Sequence, residues 1–207
     1  MRFLRAPAWL VLATGLGIAL LAAGTHAVAQ GPGDAERGRR VFTGRQCGRC
    51  HLPRGQQGVG PLLEELRRPQ GGLELAGRLW NHAPGMFMLL REGGAAWPEI
   101  SVAEMADLMA YLQATPARDP APDLSRGEVL LVRKGCLKCH RFRGEGGWVG
   151  IELTKYPGYE APVVWATTVW NHAPRMAEEA KRMAVLYPRF SGDEMGNLVG
   201  FLRSARK

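Results

Sequence analysis

An all-α fold built from two tandem helical modules is what this 207-residue sequence predicts. Three observations lead there. Apolar residues recur at helical spacing, as at Val102, Met105, Leu108, Met109 and Leu112. Long stretches of the chain return at a fixed offset of 89 to 90 residues, a period that suggests duplicated domains rather than a short solenoid repeat. The pentapeptide Cys47-Gly48-Arg49-Cys50-His51 comes back as Cys136-Leu137-Lys138-Cys139-His140 and uses up all four cysteines.

The duplication sets the domain organisation. Asp34-Ala35-Glu36-Arg37-Gly38 returns as Asp123-Leu124-Ser125-Arg126-Gly127. Trp80-Asn81-His82-Ala83-Pro84-Gly85-Met86 returns as Trp170-Asn171-His172-Ala173-Pro174-Arg175-Met176. Trp97-Pro98-Glu99-Ile100-Ser101 is echoed by Tyr187-Pro188-Arg189-Phe190-Ser191. The one-residue slip in offset falls in a glycine-rich stretch, where an insertion costs little. Residues 30–115 form a first module, 116–122 a stiff linker with three prolines, and 123–207 a second module. A core of that size is marginal alone.

The elements follow in the same order in each module. A first helix begins at Asp34, a good N-cap, and runs to Thr43; Asp123 or Ser125 opens its counterpart. Loops rich in glycine or proline span Arg54 to Pro61 and Gly144 to Gly150. Middle helices are expected from Leu73 to His82 and from Ala161 to His172, with Pro84 and Pro174 breaking or restarting them. Last helices are expected over Ser101 to Gln113 and Ser191 to Ser204. Each opens on a Ser followed three residues later by Glu104 or Glu194, the pattern of a capping box.

C-x-x-C-H is the attachment sequence of c-type haem. Two thiols at that spacing can form thioethers to one porphyrin, and the next residue sets an imidazole against the iron. On composition alone one such motif is expected about 0.002 times in this chain. Two covalent haem c groups are therefore expected, held by Cys47 and Cys50 and by Cys136 and Cys139, with His51 and His140 as proximal iron ligands. A Cys₄ zinc site is the competing reading. The 85 residues between the pairs are long for it, and the two histidines would be coincidental.

Residues 1–29 read as a secretory signal: Arg2 and Arg5, then an apolar stretch from Pro7 to Ala23, then the cleavage pattern Ala27-Val28-Ala29. An uncleaved anchor in the inner membrane, facing the periplasm, is the alternative. Periplasmic export suits covalent haem attachment. The formal charge of +8 falls to +6 without Arg2 and Arg5, and that excess favours acidic redox partners or anionic surfaces. Nucleic acid is not expected as a partner, because the basic residues are scattered and form no aromatic-basic platform. No catalytic triad, phosphate loop or nicotinamide fingerprint is present.

The order of helix, C-x-x-C-H, loop, middle helix, proline turn and last helix resembles the class I cytochrome c family, twice over nearly the whole mature chain. The resemblance implies two class I domains, each wrapped around one haem. It also implies close helix crossings at Gly38 with Tyr111 and at Gly127 with Phe201. Gly60-Pro61-Leu62-Leu63 fits the family pattern in which a proline carbonyl faces the proximal imidazole. Gly150-Ile151-Glu152-Leu153 departs from it. The usual distal methionine before the proline is replaced by Trp97 and Tyr187, which points to the repeated W-N-H-A-P-x-M segment instead. Met86 and Met176 are the distal ligands the resemblance favours, with His82 and His172 as the alternatives. Trp80 and Trp170 are expected against the porphyrin edges. The function implied is electron transfer between redox partners. A dihaem oxidoreductase with one open or displaceable site, acting on peroxide or sulfur compounds, is the alternative.

Overall fold

The computed structural model describes residues 33–206, so the export signal expected over residues 1–29 lies outside the described part. The described chain is mostly helical. None of its helices is long and apolar enough to cross a membrane.

In each half the first and last helices cross. α1 (Ala35–Gly44) starts where the Asp34 carboxylate accepts from the Arg37 N–H at 2.6 Å, satisfying one of the free donors at the helix start. After α2 (Leu63–Leu66) and α3 (Gly72–Glu92), α4 (Val102–Tyr111) packs across α1. A Cβ on Gly38 would overlap the Asp107 carbonyl oxygen and lie 2.7 Å from the Tyr111 Cβ, so only glycine permits this approach. The second half repeats it: α5 (Leu124–Arg133), capped by Asp123, crosses α7 (Glu194–Ser204) at Gly127, in contact with Phe201.

One helix start differs from expectation. The Ser101–Glu104 capping box forms with both reciprocal bonds. Its counterpart does not, because Gly192 turns left-handed at φ +54° and delays the helix to Glu194. The Glu194 carboxylate then folds back onto the N–H and hydroxyl of Ser191.

The larger correction concerns the middle helices. α3 and α6 (Pro162–Arg182) are each 21 residues long and run straight through Pro84 and Pro174. A proline inside a helix leaves the carbonyl four residues earlier without its donor. For Pro174 that carbonyl belongs to Trp170, and it accepts instead from the indole N–H of Trp97 at 3.2 Å. The compensating donor comes from the other half of the chain.

α3 and α6 pack along each other and bring the two halves together. Trp80 donates to the Pro188 carbonyl at 2.6 Å, and Trp170 donates to the Pro98 carbonyl at 2.7 Å. Asn81 takes both backbone groups of Phe190, donating to its carbonyl at 2.5 Å and accepting from its N–H at 2.8 Å. Asn171 does the same to Ile100, at 2.8 and 3.0 Å. Trp80 stacks on Tyr187 with centroids 4.8 Å apart, and Trp170 lies against Trp97 at 4.3 Å. The Trp-Asn pair of each half thus grips the proline turn of the other.

The proline-rich segment after α4 is stitched to the first half. β2 (Ala114–Thr115) pairs in parallel with β1 (Gln70–Gly71), and the Asp119 carboxylate accepts from the Leu73 N–H at 2.9 Å, capping α3. In the second half, β3 (Arg141–Phe142) and β4 (Glu145–Gly146) form a short hairpin directly after His140.

Candidate functional site

Each C-x-x-C-H motif forms a single 3-10 turn at the end of the first helix. The residue before it is left-handed, Gln46 at φ +62° and Gly135 at φ +72°. That turn redirects the chain so the cysteines and the histidine leave the helix axis together. The His51 N–H closes on the Cys47 carbonyl at 3.1 Å, and the His140 N–H closes on the Cys136 carbonyl at 2.9 Å.

Both imidazoles are oriented through the same nitrogen. His51 Nδ1 lies 3.0 Å from the Pro61 carbonyl oxygen, and His140 Nδ1 lies 3.1 Å from that of Ile151. A carbonyl can only accept, so Nδ1 carries the proton and Nε2 keeps its lone pair for a metal. Ile151 supplies its backbone at the position where the first half uses Pro61, so the missing proline costs the second site nothing in this contact. Glycine is required beside each ring. A Cβ on Gly60 would sit 2.6 Å from His51 Nδ1, and one on Gly150 would overlap the His140 ring. Burial pulls the His140 imidazole below its ordinary range, against the pull of Ile151, which favours the neutral form that ligates metals.

In the second half these parts open onto a cavity of about 660 Å³, a size typical of small-molecule and cofactor sites. Cys136, Cys139 and His140 lie on its wall, and so do His172 and Met176 of α6. Since α6 is continuous, His172 and Met176 sit four residues apart on one face. Burial lowers the His172 pKa, and Arg175 and His140 add to the effect. The equivalent residues of α3 differ in exposure: His82 is exposed, while Met86 is half-buried against the core. Met176 is half-buried in the same way.

The two tryptophans expected against the porphyrin edges also serve the interface between the halves. Trp80 lines the cavity of the second half while donating to Pro188, so a residue of the first module helps build the second site. Trp170 is buried against Trp97 and bonded to Pro98 across the same interface.

Sequence reasoning also missed several residues. Tyr159 is 1% exposed, lines the cavity, and its hydroxyl has no protein partner. Trp165 and Tyr156 complete an aromatic cluster around it. These residues have no echo in the first half, so the repeat gave no signal for them. Asn81 and Asn171 recur in the repeat, but their contacts 109 and 71 residues away left no mark in it.

A haem c group can be tested against these features. The thiol pairs sit beside an imidazole with a free Nε2, glycine clears the ring, the cavity is mainly apolar, and Tyr159 offers an unspent hydroxyl for an acidic edge. The residues fit. They fit the competing readings less well. Among the described residues no three His, Cys, Asp or Glu side chains converge on a metal position, as a Cys₄ zinc site would need. Burial raises the thiols of Cys47 and Cys136 to about 11, opposite to the lowered values of dithiol redox pairs. No protein-family model matches the chain, and no curated protein is significantly similar to it.

Proposed function

We propose that this chain is an exported dihaem c-type cytochrome of the class I type, passing single electrons between redox partners in the periplasm. The observation that carries the reading is the twofold Nδ1-to-carbonyl bond beside paired thiols, with glycine pressed against each imidazole. Cys47 with Cys50, and Cys136 with Cys139, would hold the two groups covalently. His51 and His140 would present Nε2 to the irons. When bound, a group of this kind supplies reversible one-electron chemistry whose potential depends on its axial ligands and surroundings.

The chain's own residues position, bury and tune. Apolar walls that include Val169, Leu198 and Leu202 would lie against a bound group in the second site, lowering the local dielectric and strengthening nearby charges. The carbonyls of Pro61 and Ile151 fix the tautomer and orientation of each proximal ring. Met86 and Met176 would supply the distal sulfurs, supported by their half-buried packing against the core. The net charge of +8, reduced to +6 when Arg2 and Arg5 leave with the export signal, would favour acidic partners.

Optical spectra of the purified protein in both oxidation states test this reading. Low-spin spectra are expected, with the weak far-red band of methionine-ligated ferric iron, lost in Met86→Ala and Met176→Ala variants. Low-spin spectra that survive those variants but collapse in His82→Ala and His172→Ala would move the ligation to histidine. High-spin iron that rapidly binds cyanide would replace electron carriage with the oxidoreductase reading.

A further inference from the structure

We infer that the Tyr187 hydroxyl is a hydrogen-bond donor to the group held in the second half's cavity, and that this donor makes the two sites unequal. The inference rests on the haem reading proposed above.

Positions 97 and 187 are equivalent in the repeat, each just before the proline of its turn. Both aromatic rings are fixed by the interface, Trp97 against Trp170 and Tyr187 against Trp80. Their polar atoms have different fates. The Trp97 N–H is spent on the Trp170 carbonyl that Pro174 leaves without a donor. The Tyr187 hydroxyl is buried and meets no protein partner. Tyr187 also lines the cavity that contains His140, His172 and Met176.

A buried hydroxyl left unpaired costs roughly 1–3 kcal/mol. The stack on Trp80 holds this ring in place, so the hydroxyl cannot swing out to water. An acceptor inside the cavity removes the penalty. One acceptor has suitable chemistry, a carboxylate on the porphyrin edge, because no protein acceptor, sulfur included, lies within reach of the hydroxyl. The donor would offset that carboxylate's negative charge near the iron and favour the reduced state. W-N-H-A-P-x-M is the same in both halves, so position 187 is one of the differences between them, beside the unpaired Tyr159 hydroxyl and the exposure of His82.

The test is a redox titration of the intact, haem-loaded chain carrying Tyr187→Phe, resolving both midpoint potentials. One midpoint is expected to fall by a threefold to tenfold change in its one-electron equilibrium, about 30 to 60 mV at 59 mV per decade, while the other stays fixed. Tyr187→Trp, which installs the residue of the first half, should lower the same midpoint and guards against misfolding of the phenylalanine variant. Two unmoved midpoints, or two that move together, would overturn the inference while leaving the haem reading intact. A chain without porphyrin would remove both.

Discussion

Replacing Asn81 by alanine should loosen the whole molecule, because its amide binds the backbone of the opposite half. Its amide satisfies both the N–H and the carbonyl of Phe190, a residue only 7% exposed. Alanine leaves those two backbone groups unpaired at a packed interface. At roughly 1–3 kcal/mol per unpaired group, partly relieved where water can enter, the loss is about 2–4 kcal/mol. For a chain of this length each kcal/mol shifts Tm by about 2–4 °C, so Tm should fall by about 4 to 16 °C. Asn171→Ala removes the equivalent pair of bonds to Ile100, which is 2% exposed, and should cost a similar amount. Thermal unfolding followed by circular dichroism and tryptophan fluorescence reads both variants. Each half is clamped by the other, so the parent protein should unfold in one cooperative step. Two separated transitions in the parent, or a loss below about 0.5 kcal/mol in both variants, would refute the interlock.

The helix crossings predict opposite outcomes for two glycines. Gly127→Ala forces a Cβ into the Asn197 carbonyl and should destabilise by about 1–3 kcal/mol. Gly196→Ala, at a half-buried position where a Cβ meets open space, should stabilise by about 0.5–1 kcal/mol; urea midpoints compare the two. Acid should weaken the fold for a definable reason. Burial pushes Glu194 upward, but Lys134 at 2.8 Å and the Ser191 N–H outweigh it, and the carboxyl sits below its ordinary value. Asp107 is lowered too, by its bonds to Arg37 despite burial. A folded pKa below the unfolded one means stability fully present above about pH 4.5 and lost as pH falls through the folded value. Asp119, raised by burial, opposes the trend. Urea midpoints measured from pH 6 to pH 3 should therefore decline below about pH 4.5, and Glu194→Gln should flatten the decline.

Local chemistry was legible in the sequence, and contacts between the halves were not. Asp34 and Asp123 cap their helices as side chains of that type should, and the Ser101–Glu104 pair closes its box, because each depends on residues three positions apart. Ser191–Glu194 looked identical but contains Gly192, whose freedom to turn left-handed shifted the helix start. Pro84 and Pro174 failed as breakers for a nonlocal reason, since the donor that compensates Pro174 is an indole 73 residues away. The W-N-H-A-P-x-M segment offers distal ligands and a tryptophan for the porphyrin edge by its residue types, but not the grip of Trp80-Asn81 and Trp170-Asn171 on the opposite proline turns, which depends on contacts 71 to 109 residues apart. The orienting carbonyl at Ile151 could not be assigned from side-chain type, because a backbone group supplies it.

The most direct measurement is the intact mass of the mature polypeptide together with a pyridine haemochrome assay on the same sample. Two covalently bound haem c groups per chain are expected, one lost in a Cys47→Ser/Cys50→Ser variant and the other in Cys136→Ser/Cys139→Ser. A mature chain at its bare polypeptide mass, or one carrying zinc in place of porphyrin, would contradict the assignment of both sites.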